Sequence, residues 1–161
     1  DALLRTNLLG TIACITAALP GMRAQPERDG WRGQIVIVSS ALARRASPIA
    51  GAYSATKAAQ LSVAEALRIE LASERIAVTS VHPVHTETEF HEVAAAVSAK
   101  RWGVSPSDPV QTADHVAERM LRAIAKPRPE VWPHRMSRIA FAVAGLIPGI
   151  VDGVIRRRYP T

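Results

Sequence analysis

A tyrosine and a lysine four residues apart form the clearest chemical pattern in the sequence. The run YSATK over residues 53–57 places Tyr53 and Lys57 at helical spacing, and residues four apart on a helix project from the same face. A lysine ammonium beside a phenol favours the phenolate, so we expect the pKa of Tyr53 to lie below its usual value of about 10. A phenol tuned in this way is suited to general acid–base catalysis.

Two serines end the segment that precedes this helix. Residues 34–39, QIVIVS, are a β-branched run that predicts a short strand buried on both faces. Ser40 lies 13 residues before Tyr53 and directly follows Ser39. Ligands of parallel α/β sheets bind at the carboxyl ends of the strands. We therefore expect the chemistry here and at a second strand end, where residues 77–82 stop at Pro83.

Strand and helix patterns alternate along the chain. This order predicts an α/β fold in which a parallel sheet of about three strands is flanked by helices. One face of the helix after Ser40 is apolar at Leu61, Ala64, Leu67 and Leu71, as expected for packing on a sheet. The predicted elements are a helix over 2–24 with Pro20 and Gly21 as stop or kink, strands at 34–39, 77–82 and 130–132, a helix over 52–73, a helix opened by Asp108 at the N-cap and Pro109 at N1, and a helical tail over 135–158 broken at Pro148.

The serine, the Tyr-x-x-x-Lys helix and the strand with its proline loop, in this order, resemble the short-chain dehydrogenase/reductase family. The resemblance covers residues 1–95 well and the remainder loosely. It implies the C-terminal half of a doubly wound, Rossmann-like sheet, with a catalytic part over 1–134 and a C-terminal helical tail over 135–161. It also implies an oxidoreductase that transfers a hydride between a nicotinamide cofactor, NAD or NADP, and a carbonyl or secondary alcohol.

The resemblance assigns roles to four side chains. Tyr53 matches the proton donor and acceptor, and Lys57 matches the lysine that binds the nicotinamide ribose and lowers the tyrosine pKa. Ser40 matches the serine that hydrogen-bonds the substrate oxygen; Ser39 is the competing choice but lacks the 13-residue spacing. Asn7 matches the helix asparagine that holds a water in the proton relay to the lysine.

The loop after the second strand matches the family pattern in part. The resemblance implies that Pro83, Thr86 and Thr88 contact the cofactor, with the backbone of Thr86 at the nicotinamide carboxamide. Val84 stands where the family usually has glycine, and a side chain there restricts φ. The detailed geometry of this loop therefore stays open at the sequence level.

The glycine-rich turn that seats a dinucleotide pyrophosphate is absent from the 161 residues. Gly10, Gly21, Gly30 and Gly33 do not form it, so the resemblance places the chain after the family's first four strands. The residue that selects NAD or NADP belongs to that earlier half, and the strand at 34–39 would be left as an open edge. We expect the 161 residues alone to bind a dinucleotide poorly and to lack useful activity.

Three histidines raise the question of a metal site. His82, His85 and His91 follow the second strand, but Pro83 prevents a helical spacing and no cysteine lies near in sequence. We predict no metal and interpret them as loop histidines at the mouth of a cleft. Cys14 is the only cysteine; we expect a small core residue, no disulfide and a reducing, cytoplasmic setting.

Charge and composition limit the partners. The net charge is +6, but the basic residues are scattered and aromatic residues make up only 4%, which argues against nucleic-acid binding. We expect a small carbonyl or alcohol substrate, hydrophobic because of apolar residues in the predicted mobile cover over 86–107. The helices over 2–24 and 52–73 resemble those that pair in the family's homodimers and homotetramers.

Two alternative functions remain open. The chain could be a non-catalytic remnant of the fold, although the presence of Ser40, Tyr53 and Lys57 disfavours this. It could also be membrane-associated through residues 135–158, where the arginines at 156–158 follow an apolar helix. The membrane-associated alternative would make the protein peripheral to a membrane rather than purely cytoplasmic.

Overall fold

A three-stranded parallel sheet lies at the centre of the computed structural model, which describes residues 1–89 and 109–158. Strands β1 (Gly33–Val38) and β2 (Ile76–Val81) pair along their whole length, from Gly33 opposite Ile76 to Val38 opposite Val81. A short strand, β5 (Glu130–Val131), pairs with the other side of β2. The strand order β1–β2–β5 confirms the predicted parallel sheet of about three strands.

Helices follow the strands in the predicted alternation. A smaller two-stranded parallel sheet, which the sequence did not predict, is formed by β3 (His85–Glu87) and β4 (Val110–Thr112). The helical elements are a π-helical segment at Leu4–Leu9, α1 (Gly10–Ala24), a 3-10 turn at Ala41–Ala43, α2 (Gly51–Glu70), α3 (Ala113–Ala125), α4 (Arg135–Leu146) and α5 (Pro148–Arg158). The break in the tail at Pro148 is confirmed.

Apolar side chains pack on both faces of the sheet. On one face, side chains of α1, α2, β1 and β2 form a core, and the predicted apolar face of α2 belongs to this side: Leu61, Ala64 and Leu71 are buried and Leu67 packs at the edge. On the other face, Val81 and Val131 pack against Ala123 of α3. The doubly flanked α/β architecture follows from these two cores.

Strand β1 is less buried than expected. Ile35 and Ile37 are buried, but Val38 is 43% exposed, so the prediction of burial on both faces is wrong. The reason is that β1 has only one neighbour, β2, in the described sheet. The open edge that the sequence predicts at this strand is confirmed.

The first helix extends to Ala24, as predicted for residues 2–24, and neither Pro20 nor Gly21 ends it. Pro20 lies within the helix at a solvent-exposed position. The prediction that Cys14 is a core residue is wrong, because its side chain is exposed. On α1 only Ile15 is buried, since a single sheet face covers one side of the helix.

Helix α3 begins later than Asp108 and Pro109 predict. Residues Val110–Thr112 pair with β3, and Thr112 is the N-cap, where its side-chain oxygen accepts a hydrogen bond from the amide of His115 at 3.2 Å. A tertiary strand pairing therefore overrides the local start signal. Asp108 and the part of the predicted cover over 90–107 lie outside the described residues.

Within the described ranges, no single helix has the length and apolar composition needed to cross a membrane. Helices α4 and α5 reach that composition only when taken together, and they are bent by 111° at their junction.

Candidate active site

A cleft of about 1100 Å³ lies at the carboxyl ends of β1 and β2. Parallel sheets place ligands at this edge because the loops that leave the strands diverge there. The cleft brings together every site residue that the sequence predicts. These residues are Asn7, Ser40, Tyr53, Lys57, Pro83, Thr86 and Thr88.

Ser40 and Tyr53 are joined by a side-chain hydrogen bond. Ser40 follows β1 in extended backbone and begins the 3-10 turn, where its Oγ also accepts a hydrogen bond from the amide of Leu42 at 3.1 Å. Burial raises the pKa of the Tyr53 phenol above its ordinary value of 10.0, and the hydrogen bond to Ser40 opposes this by lowering the pKa. The predicted low pKa is therefore wrong for this state of the protein, and the phenol is protonated at neutral pH.

The position of Lys57 explains why the tyrosine pKa is not lowered. The Nζ atom donates a hydrogen bond to the carbonyl oxygen of Val38 at 2.9 Å and lies 5.6 Å from the centroid of the Tyr53 ring. Burial lowers the pKa of the Lys57 ammonium. The lysine lies on the same helix face as Tyr53, as its spacing predicts, but its charge is directed at the strand end.

The two adjacent serines have different hydrogen-bond partners. Ser39 is buried and its Oγ donates to the carbonyl oxygen of Lys57 at 2.8 Å, which ties the end of β1 to α2. Ser40 is the serine that contacts the Tyr53 side chain. This geometry favours the choice of Ser40 that the spacing made.

Asn7 is connected to α2 through its side chain. Its Nδ2 donates to Oγ1 of Thr56 at 3.0 Å, and Thr56 donates in turn to the carbonyl oxygen of Tyr53 at 2.8 Å. Thr56 is almost fully buried. The chain of contacts links the first helical segment to the residue before Lys57.

The backbone of Asn7 lies in the π-helical segment Leu4–Leu9. Its carbonyl oxygen accepts hydrogen bonds from Oγ1 of Thr11 at 2.6 Å and from Nε2 of Gln60 at 2.7 Å. Single π-turns inside helices occur often at functional sites because they displace one backbone carbonyl. The role of Asn7 in a water relay stays a prediction.

Gln60 and Thr56 are site neighbours that the sequence reasoning missed. Gln60 is 5% exposed, bridges Asn7 and Thr11, and leaves its Oε1 without a hydrogen-bond partner among the described residues. A signal was present, because Gln60 and Thr56 are polar positions on an otherwise Ala- and Leu-rich helix, three residues after and one before Lys57.

The proline loop borders the cleft opposite α2. The carbonyl oxygen of Pro83 accepts from the amide of Ala41 at 2.9 Å, and the amide of Val84 donates to Oε1 of Gln111 at 3.2 Å. Thr86 donates from Oγ1 to the carbonyl oxygen of Val84 at 3.0 Å. Val84 does not adopt a positive φ, so the valine in place of the usual glycine is accommodated without backbone strain.

His82 has a different place from the one predicted. It is fully buried, stacks on Trp132 with ring centroids 4.6 Å apart, and its Nδ1 lies 3.3 Å from the carbonyl oxygen of Ser40. Burial lowers its pKa, which keeps the ring neutral. The interpretation of His82 as a histidine at the cleft mouth is wrong, because its ring is buried next to the backbone carbonyl of Ser40.

The described residues contain no candidate metal site. His85 lines the cleft, and His91 lies outside the described residues. Among residues 1–89 and 109–158, no group of three His, Cys, Asp or Glu side chains could hold a metal ion.

Much of the cleft lining is apolar. These side chains come from the 3-10 turn and from α3, α4 and α5, so the C-terminal tail contributes directly to the site. The apolar side chains there include Leu42, Met120, Met136, Phe141, Val151 and Ile155.

Residues 1–97 match the family model of the short chain dehydrogenases. The chain is 31% identical over 145 residues to Dehydrogenase/reductase SDR family member 7B of Xenopus tropicalis, covering 89% of this chain and 42% of that protein. It is 34% identical over 97 residues to a NAD-dependent oxidoreductase of Mycobacterium tuberculosis, covering 60% of this chain and 34% of that one.

A solved structure is similar over nearly the whole chain. The short chain dehydrogenase from Burkholderia cenocepacia, crystallised in complex with NADP, superposes with a TM-score of 0.69 and 28% identity. The similarity covers 96% of this chain and 58% of that structure. The chain thus spans about half the length of the proteins it matches.

Proposed function

Because this chain belongs to the short-chain dehydrogenase family, we propose that it supplies the proton-transfer and substrate-binding part of an oxidoreductase that acts on a carbonyl or secondary alcohol with NAD or NADP. The observation that carries the proposal is the hydrogen bond between Ser40 and Tyr53, with Lys57 beside them in one cleft. A donor pair at the carboxyl ends of parallel strands can polarise and protonate one substrate oxygen.

In the reducing direction, Tyr53 is the proton donor and Ser40 orients the substrate oxygen. The raised pKa of Tyr53 keeps the phenol protonated at neutral pH, which is the form that a general acid needs. A nicotinamide cofactor held in this cleft would supply the hydride for the carbonyl carbon. In the oxidising direction Tyr53 accepts the proton of the alcohol, and an approach of the Lys57 ammonium would favour the phenolate.

The residues around β1 fit the nicotinamide end of such a cofactor. Lys57 presents an ammonium at the end of β1, where it donates to the carbonyl oxygen of Val38, and Asn7, Thr86 and Thr88 line the same cleft. We propose that Lys57 holds the nicotinamide ribose and that Pro83, Thr86 and Thr88 contact the nicotinamide. The relatives named above are described with NAD in one case and NADP in another, and the choice for this chain stays open.

The apolar part of the cleft lining supports a hydrophobic substrate. Side chains such as Leu42, Met120 and Phe141 offer no charge to a polar group, and binding there removes apolar surface from water. We propose a carbonyl compound with an aliphatic or aromatic body, its oxygen at Ser40 and Tyr53.

We also propose that the enzyme forms a homodimer through α1 and α2. Leu9, Ile12 and Ile69 of this helical face are exposed, the last at 80%. An isologous pairing of the two helices with those of a second copy would cover these side chains.

A chimera tests the activity. The part of the Burkholderia cenocepacia dehydrogenase that precedes the matched region is joined upstream of Asp1, and NADPH consumption is followed with ketones and aldehydes of graded hydrophobicity. We expect turnover, and we expect Tyr53→Phe to lower kcat/KM by about 100-fold or more, while Tyr159→Phe leaves it unchanged. A chimera that folds and binds NADPH, but turns over equally with Phe at position 53 or not at all, would support the non-catalytic alternative.

The 161 residues alone provide a second measurement. We expect their affinity for NADP to be weaker than micromolar, because no glycine-rich turn is present to hold the pyrophosphate. Titration calorimetry with NADP measures this, and a micromolar dissociation constant would contradict the expectation.

A further inference from the structure

The C-terminal helix pair carries an exposed apolar stripe. On α4, Met136, Ile139, Val143 and Leu146 are spaced three or four residues apart and are between 46% and 82% exposed. Such spacing places them on one helix face. The stripe continues past the bend through Ile147, Ile150 and Val154, which are 40%, 66% and 56% exposed.

The stripe is separate from the apolar wall of the active-site cleft. Side chains on the adjacent face of α4, such as Ala140 and Phe141, line that cleft, and only Met136 belongs to both surfaces. Contiguous apolar surface of this kind on a water-facing helix pair marks a contact with a partner or a membrane. The rim of the cleft meets the stripe at Met136.

A second cleft, of about 610 Å³, lies beside the stripe and is lined by arginines. Arg119 and Arg122 come from α3, Arg128 from the loop before β5, and Arg135 and Arg138 from the first turns of α4. Ile139 of the stripe lines the same cleft. Arginine side chains from three parts of the chain therefore converge next to the exposed side chain of Ile139.

Few carboxylates balance these charges in the described part of the chain. Arg122 has an exposed partner in Glu118 at 3.4 Å, and Glu130, the one acidic residue of the cleft, is paired with Arg44. The N-terminus of α4 opens at the cleft and adds a partial positive charge.

The helix pair of α4 and α5 itself carries an excess of positive charge. Residues 135–158 contain five arginines and one acidic residue, Asp152. The carboxylate of Asp152 is already paired with Arg45. No acidic side chain of the pair is thus left to repel an anionic surface.

We propose that α4 and α5 dock this protein on the surface of an anionic phospholipid bilayer, with headgroup phosphates in the arginine cleft and the apolar stripe among the acyl chains. A bent, amphipathic helix pair that is too short to span suits this interfacial position. Arginine suits phosphate oxygens because its planar guanidinium donates two parallel hydrogen bonds. A protein partner would explain the stripe, but it would not require five arginines beside it.

Docking of this kind places the rim of the active-site cleft next to the lipid. Met136 lies at that rim and is 64% exposed. A hydrophobic substrate dissolved in the bilayer could then enter without crossing water. This last step rests on the proposed function, whereas the docking itself does not.

Flotation with lipid vesicles tests the docking. The 161-residue chain is mixed with vesicles of phosphatidylcholine alone or of phosphatidylcholine with phosphatidylglycerol, at low and at high salt. We expect binding to the anionic vesicles only, weakened by salt. The double substitution Arg135→Gln with Arg138→Gln should lower the partition coefficient about tenfold or more, and Ile139→Ser with Val143→Ser should abolish binding.

Matched variants control for charge and for apolar surface. Arg28→Gln with Arg32→Gln removes the same charge from the loop over 25–33, and Trp31→Ser removes an exposed apolar side chain from the same loop. Both should bind vesicles as the unaltered chain does. Circular dichroism verifies the folding of each variant. If a stripe variant unfolds, the salt dependence of vesicle binding by the unaltered chain still tests the proposal.

Three results would overturn the proposal. The first is equal binding to neutral and anionic vesicles, and the second is binding by the Arg135 and Arg138 variant that equals that of its control. The third is the absence of binding to anionic vesicles, after which light scattering shows whether the stripe instead holds two copies of the chain together. Inorganic phosphate should weaken vesicle binding no more than sodium chloride of the same ionic strength does, because a single phosphate lacks the acyl contacts.

Discussion

The phenol of Tyr53 experiences two opposing influences in the cleft. Burial raises its pKa and the hydrogen bond from Ser40 lowers it, with burial the larger of the two. The lysine that the sequence pairs with this tyrosine acts instead on the carbonyl oxygen of Val38. At the residue scale, the spacing of a motif thus predicts which side chains share a face, but not where each charge is directed.

A titration separates the influences on Tyr53. Tyr159 is the only other tyrosine in the sequence, so Tyr159→Phe leaves Tyr53 as the single phenol. In that background Ser40→Ala should raise the pKa of Tyr53, because it removes the hydrogen bond that lowers it, whereas Lys57→Met should leave the pKa unchanged. Ultraviolet difference absorbance of tyrosinate measures both, and a rise with Lys57→Met alone would contradict this account.

At the scale of elements, β3 and β4 decide where α3 begins. Thr112 ends β4 and caps the helix through its side-chain oxygen. Asp108 and Pro109 have the residue types of a helix start, yet the strand pairing of Val110–Thr112 delays the helix. Local signals for helix ends compete with tertiary contacts, and here the contact prevails.

Removal of the cap gives a prediction for this element. Thr112→Ala should lower the free energy of unfolding by about 1 kcal/mol, since it leaves an amide at the start of α3 without its acceptor. Urea denaturation measures the change, with Thr16→Ala on the exposed face of α1 as the matched control. Equal midpoints for Thr112→Ala and the unaltered chain would show that Thr112 does not cap the helix in solution.

At the scale of the whole molecule, acid should act on the stability through His82, Glu74 and Glu130, all of which lie in the described part of the chain. Burial lowers the pKa of His82. The pKa of Glu74 is lowered by its hydrogen bond from Arg23. For Glu130 burial raises the pKa, but the hydrogen bonds from Trp132 and Arg44 and the charges of Arg44 and His82 together outweigh it, so the pKa lies below its ordinary value.

Acidification should therefore destabilise the fold in two steps. Each folded pKa is below its unfolded value, so the contribution of each group is complete above the unfolded pKa and is lost as the pH falls through the folded pKa. For His82 the loss begins near pH 6.5, and for Glu74 and Glu130 it begins near pH 4.5.

Denaturation as a function of pH checks this expectation. Urea midpoints between neutral pH and pH 5 should fall for the unaltered chain, and the fall should be smaller for His82→Gln, which has no ring to protonate. His115→Gln replaces an exposed histidine and serves as the control. A pH dependence that is identical in His82→Gln and the unaltered chain would show that His82 does not carry the first step.

The sequence alone determined the order of strands and helices, the parallel sheet and the members of the candidate site. Ser40, Tyr53 and Lys57 could be found because helical spacing and strand ends are local properties, legible in a short stretch of chain. All seven predicted site residues line one cleft, since the carboxyl ends of β1 and β2 lie side by side in the sheet.

Only the tertiary structure decided burial, charge direction and the small second sheet. Cys14 is exposed where the sequence predicts burial, and His82 is buried where it predicts a loop position. The reason is that the exposure of a side chain depends on which distant element packs against it. Gln60 meets Asn7 across 53 positions of sequence, and the arginine cleft gathers side chains from α3 and α4. Such contacts between remote segments leave no periodic signal, and they arise only when the folded sheet brings the helices together.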